Sequence, residues 1–241
     1  MEALAAQRQE ALNKCPPDQK IKELIGDYLQ GSSSQGDGRI ASFFDPSGAF
    51  SFDKVLSPQE IEANHQELLK NKYESLTMRV LCYGARNFQG KIWTADVALA
   101  VSAFTRENEA KQTISYRRYE IVDTTTGPKI KGERVVAYFF LHEKGYSLSS
   151  PGRAVVNSPD GFLALRSEPS RTNPSSLIMN LHNGDTVEYW PVAFKVHDAE
   201  KKADIEWCFV RTQDDVGGMV SMLNLRPISP APSVLRALPP E

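Results

Sequence analysis

The sequence predicts two domains: an α+β cone, in which helices pack on a curved antiparallel sheet, and a small all-β barrel. Three observations support this prediction. Helical patterns fill the beginning of the chain, and four long extended segments follow them. Beyond a polar stretch near residue 150, short strands alternate with turn residues. The length of 241 residues gives room for two domains of ordinary size.

The composition is that of a soluble globular protein, with 41% hydrophobic and 24% charged residues. The net charge is -2 and neither half of the chain is basic, so a nucleic-acid partner is not expected. No apolar run is long enough to span a membrane. Cys15, Cys82 and Cys208 are far apart and form no CxxC pair, so the sequence predicts neither a metal site nor a disulfide framework, and no cofactor.

Local signals define the elements of the first half. Pro16-Pro17 ends a helical arm, because proline cannot donate the backbone bonds that a helix needs. Ser57 followed by Glu60 is a capping box that starts a long helix. The predicted elements, in order, are an arm over 1–17, a helix over Asp18–Leu29, a short helix over Arg39–Phe44, a short strand over Ala49–Asp53 and a helix over Ser57–Lys70.

Four extended segments follow. The second alternates clearly, with Trp93, Ala95, Val97, Leu99 and Val101 on one face. Breaks such as Gln89-Gly90 and Gly127-Pro128 favour hairpin connections. The segments are Tyr73–Phe88, Lys91–Arg106, Ala110–Asp123 and Lys129–Glu143.

This order of elements resembles the nuclear transport factor 2-like superfamily. The resemblance covers about Asp18–Glu143, within a domain predicted over 18–146, and rests on the order and length of elements rather than on a residue motif. It implies a cone, in which the sheet wraps around the helices. Some members of the superfamily are isomerases, dehydratases or cyclases with an apolar pocket, and many others are noncatalytic and mediate protein contacts.

An enzyme in the cone would need a base and a hydrogen-bond donor in a dry cavity. The polar residues that could supply them are His65, Asp96, Tyr116 and Tyr138. A structural role explains the same residues more simply, since Asp96 falls on the face opposite Trp93 and tyrosines suit any sheet. The sequence therefore favours a noncatalytic cone, with catalysis as the alternative.

Residues 147–153 are small and polar, as in a linker, and a second domain is predicted over 154–228. The run from Asp160 to Ser167, DGFLALRS, resembles the opening signature of bacterial SH3-like domains. Asn183-Gly184 and the region from Trp207 to Leu225 continue the match, whereas Ala193–Ile205 is longer and more charged than in compact members. The fold predicted for this domain is a small SH3-like barrel, in which Arg166 pins a long loop by bonds to carbonyls.

The resemblance to bacterial SH3-like domains implies recognition of peptidoglycan or of a peptide. The candidate contacts are aromatic, because aromatic faces stack on sugars and favour interfaces. They are Phe162, Tyr189, Trp190 and Trp207. Tyr189 and Trp190 are the pair expected to be exposed, whereas large aromatic residues such as Phe162 and Trp207 in so small a barrel are expected in its core more often than in its groove. A proline-rich tail over 229–241 follows.

The sequence thus predicts a noncatalytic scaffold of the bacterial cell envelope, whose barrel binds cell-wall polymer or a peptide and whose cone associates with another envelope protein or with itself. Such a protein would be periplasmic, with a cytoplasmic location as the alternative. Two other functions stay open: an isomerase- or dehydratase-type enzyme in the cone, and an immunity-type protein with a protein partner.

Overall fold

The structure is a computed structural model that describes residues 19–34, 36, 39–51, 53–89, 91–140, 151–198 and 202–229. The predicted arm, Cys15 and nearly all of the predicted tail lie outside these ranges. The chain divides between Tyr138 and Phe139 into two compact units. Neither of the two α-helices in the described ranges is long and apolar enough to cross a membrane.

The N-terminal unit contains the elements that the sequence predicts, with bounds that differ by a few residues. The predicted short strand over Ala49–Asp53 is instead a hairpin of two strands. The elements are α1 (Gln19–Gly31), a 3-10 turn (Ala41–Phe43), β1 (Ala49–Ser51), β2 (Lys54–Leu56), α2 (Pro58–Lys72), β3 (Tyr73–Gln89), β4 (Ile92–Thr105), β5 (Ala110–Thr124) and β6 (Gly127–Phe140).

The capping box at the start of α2 is confirmed. The backbone N–H of Glu60 donates to Ser57 Oγ at 3.3 Å, and the backbone N–H of Ser57 donates to Glu60 Oε2 at 2.8 Å. Two donors that the helix itself cannot satisfy are thereby paired. This fixed start sets the rotation of α2, which turns Ile61 and His65 toward the interior.

The sheet of this unit has the order β2-β1-β6-β5-β4-β3. β3, β4 and β5 are antiparallel neighbours, whereas β1 runs parallel to β6. The alternation of β4 places Ala95, Val97 and Leu99 in one core with Ile25 of α1 and Ile61 of α2. The result is an α+β cone with helices packed on one face of a curved sheet, as predicted.

The C-terminal unit is all-β, with seven strands in the order β13-β7-β10-β11-β12-β8-β9. Among the described strands no pairing joins β13 to β9, so the predicted closed SH3-like barrel is not confirmed. The strands are β7 (Gly152–Val156), β8 (Phe162–Arg166), β9 (Leu177–His182), β10 (Thr186–Asp198), β11 (Ala203–Thr212), β12 (Gly217–Ser221) and β13 (Leu225–Ser229).

The predicted linker over 147–153 extends too far. Gly152 and Arg153 belong to β7 and pair with Tyr189 and Glu188 of β10. Small polar residues look like a linker in sequence, but the hydrogen bonds to β10 give these two residues a regular place in the sheet.

Two local predictions for this unit are confirmed by geometry. Gly161 and Gly184 have φ values of 82° and 94°, which only glycine adopts without strain. Arg166 holds the loop between β8 and β9, since its Nη1 donates to the carbonyl of Asn173 at 2.9 Å and its Nη2 to that of Arg171 at 3.3 Å.

Replacement of Gly218 in β12 by alanine is expected to destabilise this unit by about 1–3 kcal/mol. A Cβ there would lie 2.9 Å from the carbonyl oxygen of Arg166 and 2.9 Å from Leu165 Cδ1, and the backbone oxygen cannot move aside cheaply. Urea unfolding measures the loss. Gly26→Ala is the control of opposite sign, because that site on α1 is open and alanine favours a helix; equal stability of Gly218→Ala and wild type would contradict the packing.

Candidate functional site

A cavity of about 440 Å³ opens in the N-terminal unit between α1, α2 and the sheet. Its volume falls in the range of pockets that enclose small molecules. One part of its wall is polar. Apolar side chains from α2, β3 and β4 line another part, and they include Ile61, Leu68, Leu76, Met78 and Val101.

His65 lies on the wall of this cavity, one turn after Ile61 on the inner face of α2. Its Nε2 is 2.8 Å from the carbonyl oxygen of Ser32, just beyond α1. A carbonyl oxygen can only accept, so Nε2 carries the hydrogen of the neutral ring. Nδ1 is then the basic nitrogen, and within the described part of the chain it makes no hydrogen bond.

Burial lowers the pKa of His65 below its ordinary value. The hydrogen bond to Ser32 and the charge of Glu133 oppose this effect, and the charge of Arg117 adds to it. The imidazole is therefore neutral at pH 7. A neutral, buried imidazole with one unprotonated nitrogen is suited to accept a proton.

The polar wall of the cavity is centred on Glu133 of β6. Arg117 of β5 donates from Nη1 to Glu133 Oε1, and Tyr28 of α1 donates its hydroxyl to Oε2 at 2.7 Å. The hydroxyl of Tyr119 lies 3.5 Å from Oε1. We call Glu133, Arg117, Tyr28 and Tyr119 the Glu133 cluster. It joins α1 to two strands of the sheet.

Electrostatics fix the protonation of this cluster. Burial, and then the charge of Glu133, raise the pKa of both Tyr28 and Tyr119, so both phenols stay protonated and donate. Burial alone would lower the pKa of Arg117, but the carboxylate of Glu133 outweighs it and the pKa rises. The carboxylate accepts from three donors, so Glu133 positions its neighbours and His65 is the better base.

The structure does not bring together the four cone residues that the sequence singles out. His65 lines the cavity, but Asp96 and Tyr116 lie on the other face of the sheet, because they alternate with Ala95 and Val97. Asp96 instead accepts two bonds from Arg118, at 2.6 and 2.8 Å. Tyr138 lies in β6, and its side chain is outside the described ones.

Sequence reasoning missed Arg117 and Glu133. The sequence did contain a signal for Arg117, since the alternation of β5 places it on the same core-facing side of the strand as Tyr119 and Ile121. A charged residue in the phase that faces the core requires a buried partner. The sequence could not show that this partner is Glu133, on the next strand.

In the C-terminal unit, the expectation that Tyr189 and Trp190 are exposed is wrong. They pair in register with Val210 and Phe209 of β11, and both side chains are buried. The Trp190 ring lies 5.7 Å from that of Phe209, and the guanidinium of Arg211 lies 5.9 Å from the Trp190 ring centre. The dipeptide is a core element of the sheet.

The other two aromatic candidates differ from each other. Phe162 is 45% exposed at the start of β8. Trp207 is buried, and it forms part of a groove of about 210 Å³ together with Arg171 and His197. A binding role for either residue stays a prediction.

Similar solved structures cover about half of this chain, at low sequence identity. No protein-family model and no curated protein matches the chain. Similar solved structures include an NTF2-like superfamily protein from Salmonella enterica serovar Typhimurium, with 17% identity, 48% of this chain, 87% of that chain and a TM-score of 0.43. Another is the hexachlorocyclohexane dehydrochlorinase LinA-type3 from Novosphingobium barchaimii. It is 12% identical, the match covers 58% of this chain and 95% of the dehydrochlorinase, and the TM-score is 0.44. LinA Type2 has 13% identity, 59% and 97% coverage and a TM-score of 0.44.

The predicted α+β cone agrees with the sheet order and the helix packing of the N-terminal unit. One of the similar structures is described as an NTF2-like superfamily protein. Two of these structures are of dehydrochlorinases and none supports a noncatalytic envelope scaffold, so that prediction is set aside. Of the polar cone residues that the sequence singled out, Asp96 and Tyr116 are not among the residues that line the cavity, whereas His65 is.

Proposed function

We propose that the cone is an enzyme that removes a proton from carbon in a small, largely apolar substrate, as isomerases and dehydratases do. The observation that carries the proposal is the state of His65. Its Nε2–H is committed to the carbonyl of Ser32, and Nδ1 is left as a base on a cavity wall that contains both apolar and polar side chains. A base of this kind needs little desolvation before it reacts.

The Glu133 cluster supports the same proposal. The phenol hydrogens and Arg117 Nη1 already donate to the carboxylate of Glu133, so the polar wall has a fixed geometry before a substrate arrives. In this division of roles, His65 accepts the proton and the cluster provides the polar wall.

The opening of 5-nitrobenzisoxazole tests the base without knowledge of the natural substrate. A base removes the hydrogen on C3, the N–O bond breaks, and a coloured cyanonitrophenolate is released. We expect the protein to accelerate this reaction, and His65→Gln to slow it by at least about tenfold. The glutamine amide can still donate to the Ser32 carbonyl, so the fold is retained. His197→Gln, at an exposed histidine of the C-terminal unit, is the matched control.

The pH profile of this reaction gives a second readout. The base acts only when neutral, so the rate rises with pH as the imidazolium loses its proton and is level above that point. Because burial lowers the pKa of His65, the half-maximal rate is expected below the ordinary histidine value of about 6.5. A wild-type rate no higher than that of His65→Gln would refute the proposal.

For the C-terminal unit, we propose a relationship to SH3-like barrels that stops short of a closed barrel. The run from Asp160 to Ser167 supports this, together with the positive φ of Gly161 and Gly184 and the loop held by Arg166. The long hairpin of β10 and β11, which includes the charged segment after Ala193, is the main departure from such a barrel.

A further inference from the structure

We infer that the turn after α1 orients and strengthens His65 as a base, and that Ser34 and Gly36 in this turn are positioning residues. Neither of them is among the described residues that line the cavity. The inference rests on the proposed function, because it concerns the same base, and it adds the element that controls this base. We call Ser32, Ser33, Ser34 and Gly36 the serine turn.

The serine turn is closed by its own hydrogen bonds. The backbone N–H of Ser32 donates to the carbonyl of Tyr28 at 2.8 Å and continues the bonding of α1. Ser33 donates to the carbonyl of Gln30 through its backbone N–H, at 3.1 Å, and through its hydroxyl, at 2.8 Å. The backbone N–H of Gly36 then donates to the carbonyl of Ser33 at 3.0 Å. The Ser32 carbonyl therefore has a fixed direction.

Only glycine fits at position 36. A Cβ there would lie 2.5 Å from the carbonyl oxygens of Gln30 and Gly31 and 2.8 Å from the carbonyl carbon of Gly31. These atoms belong to the backbone, which cannot rotate aside as a side chain can. An alanine at this position forces the turn away from the end of α1, and the Ser32 carbonyl, which directly follows Gly31, is displaced with it.

Ser34 attaches the serine turn to the sheet. Its backbone N–H donates to the carbonyl of Leu76 at 2.9 Å, and its hydroxyl donates to the same carbonyl at 3.2 Å. The backbone N–H of Leu76 donates to Ser34 Oγ at 2.9 Å. β3 is the last strand of the sheet, so these bonds use its free edge, at a residue whose side chain lines the cavity. The turn is thereby fixed relative to the cavity wall.

The hydrogen bond from His65 to Ser32 affects both the tautomer and the strength of the base. A carbonyl opposite Nε2 keeps the hydrogen on that nitrogen and leaves Nδ1 unprotonated. When Nδ1 takes a proton, the ring becomes a cation, and the same carbonyl stabilises the positive charge. Without this bond, Nδ1 is a weaker base in a ring that is free to exchange tautomers.

The pKa of His65 reflects opposing effects. Burial lowers the pKa and is the largest effect, the bond to Ser32 and the charge of Glu133 raise it, and the charge of Arg117 lowers it. Loss of the Ser32 bond therefore moves the pKa further down. A substitution in the serine turn replaces none of the titratable or charged residues that share the cavity wall with His65, which are Tyr28, Asp53, Tyr73, Arg117, Glu133 and Arg134.

Gly36→Ala in the full chain tests the inference, with Gly26→Ala as the matched control at an open site of α1. NMR titration follows the His65 ring directly, and His65→Gln assigns its signals. We expect the half-titration pH of His65 to fall by about one unit in Gly36→Ala, as for loss of a hydrogen bond to a charged group, and to stay unchanged in Gly26→Ala. The maximal rate of 5-nitrobenzisoxazole opening per folded molecule should fall about threefold in Gly36→Ala, because a weaker base accepts the proton more slowly.

Ser34→Ala and Ser34→Thr give a second test that perturbs the fold less. Ser34→Ala should lower the half-titration pH by a smaller amount, because the backbone bond to Leu76 remains, and Ser34→Thr, which keeps the hydroxyl, should match wild type. If Gly36→Ala does not fold, the two Ser34 variants decide alone.

A loss of stability alone lowers the amount of folded protein and leaves the half-titration pH of His65 unchanged. An unchanged half-titration pH in Gly36→Ala and Ser34→Ala would therefore overturn the inference, whether or not the rates fall. The titration needs no catalysis. If it shows no shift while 5-nitrobenzisoxazole opening still depends on His65, the inference fails and the proposed function stands.

Discussion

Glu133→Ala is expected to lower the free energy of unfolding of the N-terminal unit by about 3–5 kcal/mol, the usual cost of removing one partner of a buried ion pair. The side chain of Glu133 is 10% exposed, and that of Arg117 is 20% exposed. Without the carboxylate, the Arg117 charge has no compensation, and the hydroxyls of Tyr28 and Tyr119 lose their acceptor. Urea unfolding, followed by circular dichroism, measures the loss.

Two controls give this experiment its meaning. Glu107→Ala changes an exposed glutamate in the turn between β4 and β5 and should alter stability by less than about 0.5 kcal/mol. Arg117→Met with Glu133→Leu removes both charges and should be clearly more stable than Glu133→Ala alone. If Glu133→Ala and Glu107→Ala had the same effect, the Glu133 cluster would not contribute to the fold.

Asp96→Ala should also cost about 3–5 kcal/mol, because it removes the buried carboxylate that accepts two bonds from Arg118 on the opposite face of the sheet. The Asp96 side chain is 2% exposed and that of Arg118 is 14% exposed. Denaturant unfolding measures the loss. Asp27→Ala, at an exposed position of α1, is the matched control and should change stability little.

Asp96→Ala also separates a structural role from a catalytic one. Asp96 does not line the cavity, so the rate of 5-nitrobenzisoxazole opening per folded molecule should match wild type. A loss as large as that of His65→Gln would restore Asp96 as a member of the catalytic set. If Asp96→Ala loses stability but keeps its activity, the ion pair of Asp96 with Arg118 stabilises the contact between β4 and β5 and has no catalytic role.

The elements of the cone could be predicted because their signals are local. The capping box at Ser57 and the alternation from Trp93 to Val101 depend on neighbours a few residues away. His65 was identified as a candidate for the same reason, since it shares a helical face with Ile61. Its hydrogen bond to Ser32 could not be predicted, because that contact joins two helices.

The rest of the site depends on contacts between distant segments. Tyr28 and Glu133 are separated by most of the cone sequence, and no spacing rule relates them. The aromatic pair Tyr189 and Trp190 shows the same limit. The sequence predicted that this pair, which precedes Pro191, is exposed. Pairing with Val210 and Phe209 of β11 instead places both residues in the sheet, where their side chains are buried.

The parallel pairing of β1 with β6, through Phe50 and Gly132, has a consequence for how the molecule folds. The hairpins formed by β3, β4 and β5 close short loops, so they can form early. β1 must instead find β6, from which four other strands separate it in the sequence, and this is a slow step for an unfolded chain. Ser51 of β1 and Glu133 of β6 both line the cavity. A chain still being synthesised therefore lacks the complete cavity until β6 has been made.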